Sequence, residues 1–253
     1  MPLPSNAEVV IVAHRGASHD APENTVASVS LGWSQGADAV EVDVHLTRDG
    51  EVVVIHDATL LRTAGRDARV DALTLAEIRR LDAGVWKGAA WCGERVPTLT
   101  EVLATVPEGK RIFIELKQSE GLVPALRRVI EASPVMPAQV VLIGFEDDIL
   151  SEAKRALPDC DALFLADVPE GAPEERLSSL IQFCRTRHFD GLGVSAGWPI
   201  DARLMERLRA ENLQLNVWTV NDGRRARELA VAGVTSITTD RPAWLREQLS
   251  GGR

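Results

Sequence analysis

The chain contains no tyrosine and only 4% aromatic residues, so an aromatic pocket wall must be built from Phe, Trp or His. Cysteine is scarce as well. Cys92, Cys160 and Cys184 are scattered and odd in number with no CxxC spacing, which excludes a disulfide framework and a thiolate zinc site and leaves reduced, mostly buried thiols. No apolar run reaches the length of a membrane span; Val9–Val12 is far too short, and Met1–Ala7 has neither the basic nor the apolar region of a secretion signal. A soluble, cytoplasmic protein without stable membrane association is expected. Basic residues are outnumbered, 28 Lys and Arg against 37 Asp and Glu, for a net charge of −9. That balance argues against nucleic-acid binding, yet leaves a phosphate substrate open, because a bound divalent cation inverts the local field. Neither GxxxxGK[ST] nor GxGxxG occurs. Gly193-Val194-Ser195-Ala196-Gly197 fits a nucleophile elbow, but that triad needs a later histidine and none follows Ser195.

What the chain does have is a regular alternation. Short runs rich in Val, Ile and Leu at 9–13, 39–44, 111–117, 140–144, 162–166, 191–194, 214–220 and 236–239 read as parallel strands covered by helices. Helical periodicity occupies 25–35, 99–105, 122–132, 148–157, 173–187, 202–211, 223–231 and 242–249. Asn24, Asp201 and Asp222 are N-cap types, Pro242 suits a first helical turn, and Asn212 suits a left-handed C-terminal cap. Eight such units in 253 residues predict an α/β fold, a (β/α)8 TIM barrel forming one domain over 1–253. A doubly wound open sheet is the alternative, but it gives no reason for eight units. The rhythm breaks between Asp57 and about Pro97, where Gly84, Gly88 and Gly93 accompany a short amphipathic piece at 75–81. This segment reads as a small insertion after the second strand that caps the barrel mouth, with Trp86 and Trp91 packing inside it.

Chemistry concentrates early. Glu41, Asp43 and His45 alternate with valines, so the three polar groups share one strand face and Val40, Val42 and Val44 the other. That is backwards for a surface strand and sensible for a barrel strand whose inner end lines a site. Asp49-Gly50 between two extended runs signals a hairpin. A four-residue loop at Thr47–Gly50 would set His56 opposite Glu41 and diagonal to Asp43. Glu115 and Lys117 repeat the inward pattern at the end of the next barrel strand. Glu41, Asp43 and Glu115 therefore offer three oxygen ligands to one hard divalent cation, Mg2+ or Ca2+, with Mn2+ also admissible and zinc disfavoured. His14-Arg15-Gly16 places an arginine beside flexible backbone, which suits a phosphate. His14 and His56 are the acid–base candidates for an anionic ester; His19, His45 and His188 are read as bystanders, and Trp218 as core or as a stacking residue. The residues thus predict a metal-assisted phosphodiesterase.

In this order the motifs resemble the compact bacterial type of the glycerophosphodiester phosphodiesterase family. They are His14-Arg15-Gly16, Pro22-Glu23-Asn24-Thr25, Gly36-Ala37-Asp38, Glu41-Val42-Asp43, Thr47-Arg48-Asp49-Gly50, Val54-Ile55-His56-Asp57, Leu61-Arg62-Thr63, Leu81-Asp82-Ala83-Gly84, Pro97-Thr98-Leu99, Ile114-Glu115-Leu116-Lys117, Val217-Trp218-Thr219-Val220-Asn221 and Thr239-Asp240 with Pro242. The resemblance implies metal-dependent hydrolysis of a small glycerophosphodiester to glycerol 3-phosphate and an alcohol, through attack by the glycerol 2-hydroxyl and a cyclic phosphate. Carried over, Glu41, Asp43 and Glu115 hold the metal, His14 and His56 exchange protons, Arg15 and Lys117 bind phosphate, and Trp218 packs near the glycerol. Phe113 and Gly144 depart from the family, which often has Asn and Ser there. Related barrels that release a cyclic phosphate, or act on lysophospholipids or sugar phosphodiesters, are the competing activities. A non-catalytic phosphate sensor is the competing class.

Overall fold

The apolar runs form the eight parallel strands that the alternation predicts. The computed structural model describes residues 9–117, 120–167 and 173–250. Strand β1 (Val10–His14) leads through α1 (Val26–Ser34) to β2 (Ala39–Leu46), and a hairpin adds β3 (Val52–Val54). After α2 (Leu61–Ala64), α3 (Leu75–Ile78) and α4 (Leu99–Leu103), the alternation resumes with β4 (Arg111–Leu116) and α5 (Leu122–Glu131). It continues through β5 (Val140–Gly144), α6 (Asp147–Ala156), β6 (Asp161–Ala166), α7 (Pro173–Arg187) and β7 (Gly191–Ser195). It ends with α8 (Ala202–Ala210), β8 (Gln214–Trp218), α9 (Gly223–Ala232), β9 (Ser236–Thr239) and α10 (Pro242–Ser250).

The strands neighbour one another in the order β1, β9, β8, β7, β6, β5, β4, β2, and β2 pairs back onto β1 to close the barrel. Strand β3 lies outside this ring, antiparallel to β2. Alternate side chains part as a closed parallel sheet requires. Val40, Val42, Val44, Ile112 and Ile114 join the outer core under the helices, while Ala39, Phe113, Val141, Ile143, Leu163 and Leu165 fill the barrel. That interior plug is the floor on which the polar strand ends stand; Phe113 belongs to it and is 2% exposed.

Two local expectations are corrected. The hairpin register is one residue away from the one a four-residue loop imposes: Val44 faces Val54 and Leu46 faces Val52, because the loop takes in Glu51 as well. Thr47 N–H donates to Glu51 O at 2.9 Å, and Gly50 adopts φ +81. His56 is therefore not paired with Glu41; the ladder ends at Val54, and Ile55 N–H reaches Asp43 O at 3.0 Å. Asn24 does not cap the first helix. Thr25 does, through a capping box with Ser28, and Asn24 at φ +58 is left for another task. Asp201 and Asp222 cap as expected, and Asn212 takes φ +56 just past α8.

Residues 57–97 form short helical turns around a small core of Val53, Ile55, Leu60, Val70, Leu73, Ile78, Ala83 and Val96. Lys87 Nζ donates to Ser18 O at 2.6 Å, tying this segment to the loop after β1. Among the described residues no helix is long and apolar enough to cross a membrane.

Candidate active site

The C-terminal ends of the strands enclose a cavity of about 280 Å3, lined among others by His14, Arg15, Glu41, His56, Glu115, Lys117 and Trp218. Register explains the gathering. His14 lies beside Glu41 across β1 and β2, and Asp43 lies beside Glu115 across β2 and β4. One ligand oxygen from each of Glu41, Asp43 and Glu115 lies within 4.8 Å of the others.

Two buried carboxylates and a half-buried third repel one another, and the surroundings answer unequally. Asp43 is fully buried. Lys117 Nζ sits 2.9 Å from its Oδ1, Arg15 Nε 3.2 Å from its Oδ2, and Asn24 Nδ2 donates to Oδ2 at 2.8 Å. Burial pushes the Asp43 carboxyl up, but Lys117 and Arg15 outweigh it and hold the group well below the usual range. Glu41 has less help. Its Oε2 accepts the Arg15 backbone N–H at 2.9 Å, whereas Oε1 is buried with no hydrogen-bond partner. Burial first, and the Asp43 charge second, push Glu41 up to about 8. Glu115 is raised for the same two reasons, although Lys117 bridges it to Asp43. An orphaned buried carboxylate oxygen within an all-oxygen set is what a hard divalent cation fits.

The two histidines stand at this cluster with their own carboxylates. His14 Nδ1 bonds Asp240 Oδ1 at 2.7 Å, and His56 Nδ1 bonds Asp57 Oδ1 at 2.7 Å. Each thereby keeps Nε2 for a reacting atom. Burial opposes charge on His14, but the Asp240 hydrogen bond and the Glu41 charge prevail and its pKa is raised. For His56 burial prevails, helped by Lys117 and Arg15 against Asp43 and Asp57, and its pKa is lowered.

Several partners were given no role at the site by the sequence. Asn24 fastens Asp43 from both sides, its Oδ1 also accepting the Asp43 backbone N–H at 3.2 Å. Arg62 joins Asp57 (Nε–Oδ2 2.7 Å) to Glu23 (Nη1–Oε2 2.8 Å), and Glu23 accepts from Arg15 Nη1 at 2.8 Å. His45 is 7% exposed, and its Nε2 contacts the His56 carbonyl at 3.1 Å. Burial, first among the causes, pushes its pKa down. His56 thus reaches the cavity by leaving the ladder, with Asp57 and His45 holding it, and not by strand pairing. The adjacency His56-Asp57 was the readable signal for one of these partners; the others come from distant segments. Trp218 and Asn216 face inward, whereas Val220, two positions beyond the end of β8 at Trp218, lies in the outer core and not on their face as a regular strand to Val220 would place it. Trp218 packs edge-on against Phe145, ring centroids 5.5 Å apart. Trp86 donates through Nε1 to Ala83 O within its own segment at 2.9 Å, but it is 39% exposed and also lines an outer cavity beside His14.

Gly16 holds the turn that aims Arg15. It has φ +82, and a Cβ there would sit 2.4 Å from the Ser28 carbonyl carbon. Gly16→Ala is expected to lose about 2–3 kcal/mol of stability, a melting shift of roughly 5–10 °C. A thermal melt checks this; an unchanged midpoint would mean that the turn relaxes freely.

The family model described as glycerophosphoryl diester phosphodiesterase matches residues 14–244. This chain belongs to that family of phosphodiesterases. It is 31% identical to a glycerophosphodiester phosphodiesterase of Caldanaerobacter subterraneus subsp. tengcongensis, over 94% of this chain and 96% of the relative. It is 30% identical to a Bacillus subtilis glycerophosphodiester phosphodiesterase over 95% of this chain and 86% of that one. Among solved structures, an Oleispira antarctica phosphodiesterase in complex with the product sn-glycerol-3-phosphate superposes with a TM-score of 0.85 at 29% identity. That alignment covers 96% of this chain and 97% of the other.

Proposed function

We propose that this enzyme hydrolyses glycerophosphodiesters to glycerol 3-phosphate and a free alcohol, using a divalent cation and the pair His14 and His56. The observation that carries the reading is the joint placement, in one cavity, of two carboxylate-backed histidines, three clustered carboxylates and the cations Arg15 and Lys117. Glu41, Asp43 and Glu115 would hold the ion, Mg2+ or Ca2+ with Mn2+ admissible. When bound it supplies Lewis-acid stabilisation of charge on the phosphoryl oxygens.

The chain's own groups do the rest. His56, kept neutral, takes the proton of the glycerol 2-hydroxyl as that oxygen bonds to phosphorus. The bond from phosphorus to the alcohol oxygen breaks as His14 Nε2 delivers a proton to it, leaving a cyclic phosphate. Roles then reverse: His14 takes a proton from water, the water oxygen bonds to phosphorus, the bond to glycerol O2 breaks, and His56 returns its proton there. Arg15 and Lys117 orient the phosphate and balance its growing charge, and Trp218 walls the glycerol side. The carboxylates support this assignment of proton donor and acceptor. Among the described residues the side-chain partners of Asp240 besides His14, Ser18 and Asn221, are neutral. Its charge therefore falls fully on His14, whereas Asp57 shares its charge with Arg62.

In this reading the chain is one cytoplasmic domain with 57–97 as its cap. Purified protein with glycerophosphocholine, and Mg2+, Ca2+, Mn2+ or EDTA, should release glycerol 3-phosphate only with a metal. Release of a cyclic ester as the end product would replace hydrolysis by a lyase reaction. No release from any glycerophosphodiester would overturn the reading.

A further inference from the structure

A second cavity, about 560 Å3, opens beside the first and shares His14 and Arg15 with it. His56 lines only the inner one. If His14 protonates the leaving oxygen, as proposed above, the alcohol half of the substrate departs on the side of His14 that the outer cavity adjoins. The glycerol half stays inside, against His56 and Trp218.

The outer cavity has an uneven charge balance. Its carboxylates are already matched: Glu23 receives Arg15 and both terminal nitrogens of Arg62, and Asp240 receives His14, Ser18 and Asn221. Two of its cations, Lys87 and Arg241, are less fully matched. Lys87 Nζ donates to the Ser18 carbonyl and lies 5.7 Å from the Trp86 ring centroid, and Arg241 Nη2 contacts His19 Nε2 at 2.6 Å. Among the described residues neither pairs directly with a carboxylate, although Asp20, bonded to His19 Nδ1, lies near enough for the Arg241 charge to reach it. Both are half-buried, and they come from opposite sides: Lys87 from the 57–97 segment and Arg241 from the turn before α10. In a chain of net charge −9, two such cations facing one cavity next to the phosphate position mark a place for a second anion. The first phosphate has its own cations, Arg15 between the two cavities and Lys117 in the inner one.

We infer that the outer cavity is a headgroup subsite selecting glycerophosphodiesters whose alcohol carries a further phosphate, with Lys87 and Arg241 as the recognising pair and Trp86 as its wall. This rests on the proposed hydrolysis and adds its specificity.

A matched pair of substrates differing by one phosphate tests it: glycerophosphoinositol 4-phosphate against glycerophosphoinositol. The intact enzyme should show a higher kcat/KM for the phosphorylated member, mainly through KM. In Lys87→Met and in Arg241→Met the ratio of the two kcat/KM values should fall about fivefold to tenfold, the scale of a part-exposed charge-assisted contact. Arg241→Glu should reverse the preference. Unchanged ratios in all three variants, with melts showing folded protein, would overturn the subsite. If neither compound is hydrolysed, the proposed activity has failed on both. Calorimetric binding of the same pair to intact protein and variants then decides the subsite alone, with equal affinities for the two compounds counting against it.

Discussion

With divalent ions chelated, Glu41→Gln should melt above the unsubstituted protein at pH 8 and close to it near pH 5, while its turnover in Mg2+ falls about a thousandfold or more. Glu41 has a folded-state pKa near 8 against an ordinary 4.5. Between those values the folded chain holds a proton that the unfolded chain releases, so stability is full below about 4.5 and declines as pH rises towards 8. At 1.36 kcal/mol per pKa unit the loss is of the order of a few kcal/mol. Glutamine removes the cause without emptying the place. Its carbonyl can accept the Arg15 N–H that Glu41 Oε2 accepts, and its amide can face the oxygens of Asp43 and Glu115. Adding Mg2+ should reverse the order. The unsubstituted protein gains about 2.7 kcal/mol at a hundredfold excess over Kd, and the variant gains far less. Thermal melts at both pH values, in EDTA and in Mg2+, settle it. A variant that melts at or below the parent at pH 8 in EDTA would show that Glu41 is not under electrostatic strain.

The carboxylate cluster was legible because a strand's period of two is strict. Glu41 and Asp43 had to share a face, and β4 had to bring Glu115 alongside once the strands were parallel. The barrel was legible for a similar reason: buried parallel strands read as continuous Val, Ile and Leu runs, and eight of them need closure. His56 shows the limit of such reasoning. It reaches the cavity although the register argument that put it there is off by one, since loop length depends on hydrogen bonds such as Thr47 N–H to Glu51 O. Asn24 was hidden because an Asn before a helix normally caps it. Here Thr25 caps, and the positive φ of Asn24 turns its amide to Asp43. Asp240 lies 226 positions from His14, beyond any local pattern. That Trp86 also lines a cavity was not legible, because a tryptophan in a glycine-rich segment gives no sign of which way it faces.

His14→Gln should lower kcat on glycerophosphocholine by about a thousandfold, the range for losing a general acid, and Asp240→Asn should do something more telling. As the acid, His14 must be protonated, so kcat/KM falls as pH rises through its raised pKa. As the base, His56 must be neutral, so kcat/KM climbs as pH rises through its lowered pKa. The profile is a plateau between the two. Asp240→Asn withdraws the hydrogen bond and charge that raise His14, so the alkaline fall moves to lower pH and the plateau narrows. Asp57→Asn withdraws support from the protonated form of His56, so the acidic rise also moves to lower pH and the plateau widens. Opposite effects on width from the same chemical change at two carboxylates distinguish the roles, because a merely structural loss would scale the profile without moving its limbs. If Asp240→Asn moves the acidic limb and Asp57→Asn the alkaline one, the acid and the base are exchanged. The leaving alcohol would then have to depart past His56, which does not line the outer cavity. The pH profile and the headgroup preference are therefore tied through one residue. The histidine that donates the proton should be the one that faces the cavity where the alcohol's second phosphate is selected, and His14 is the one the geometry allows.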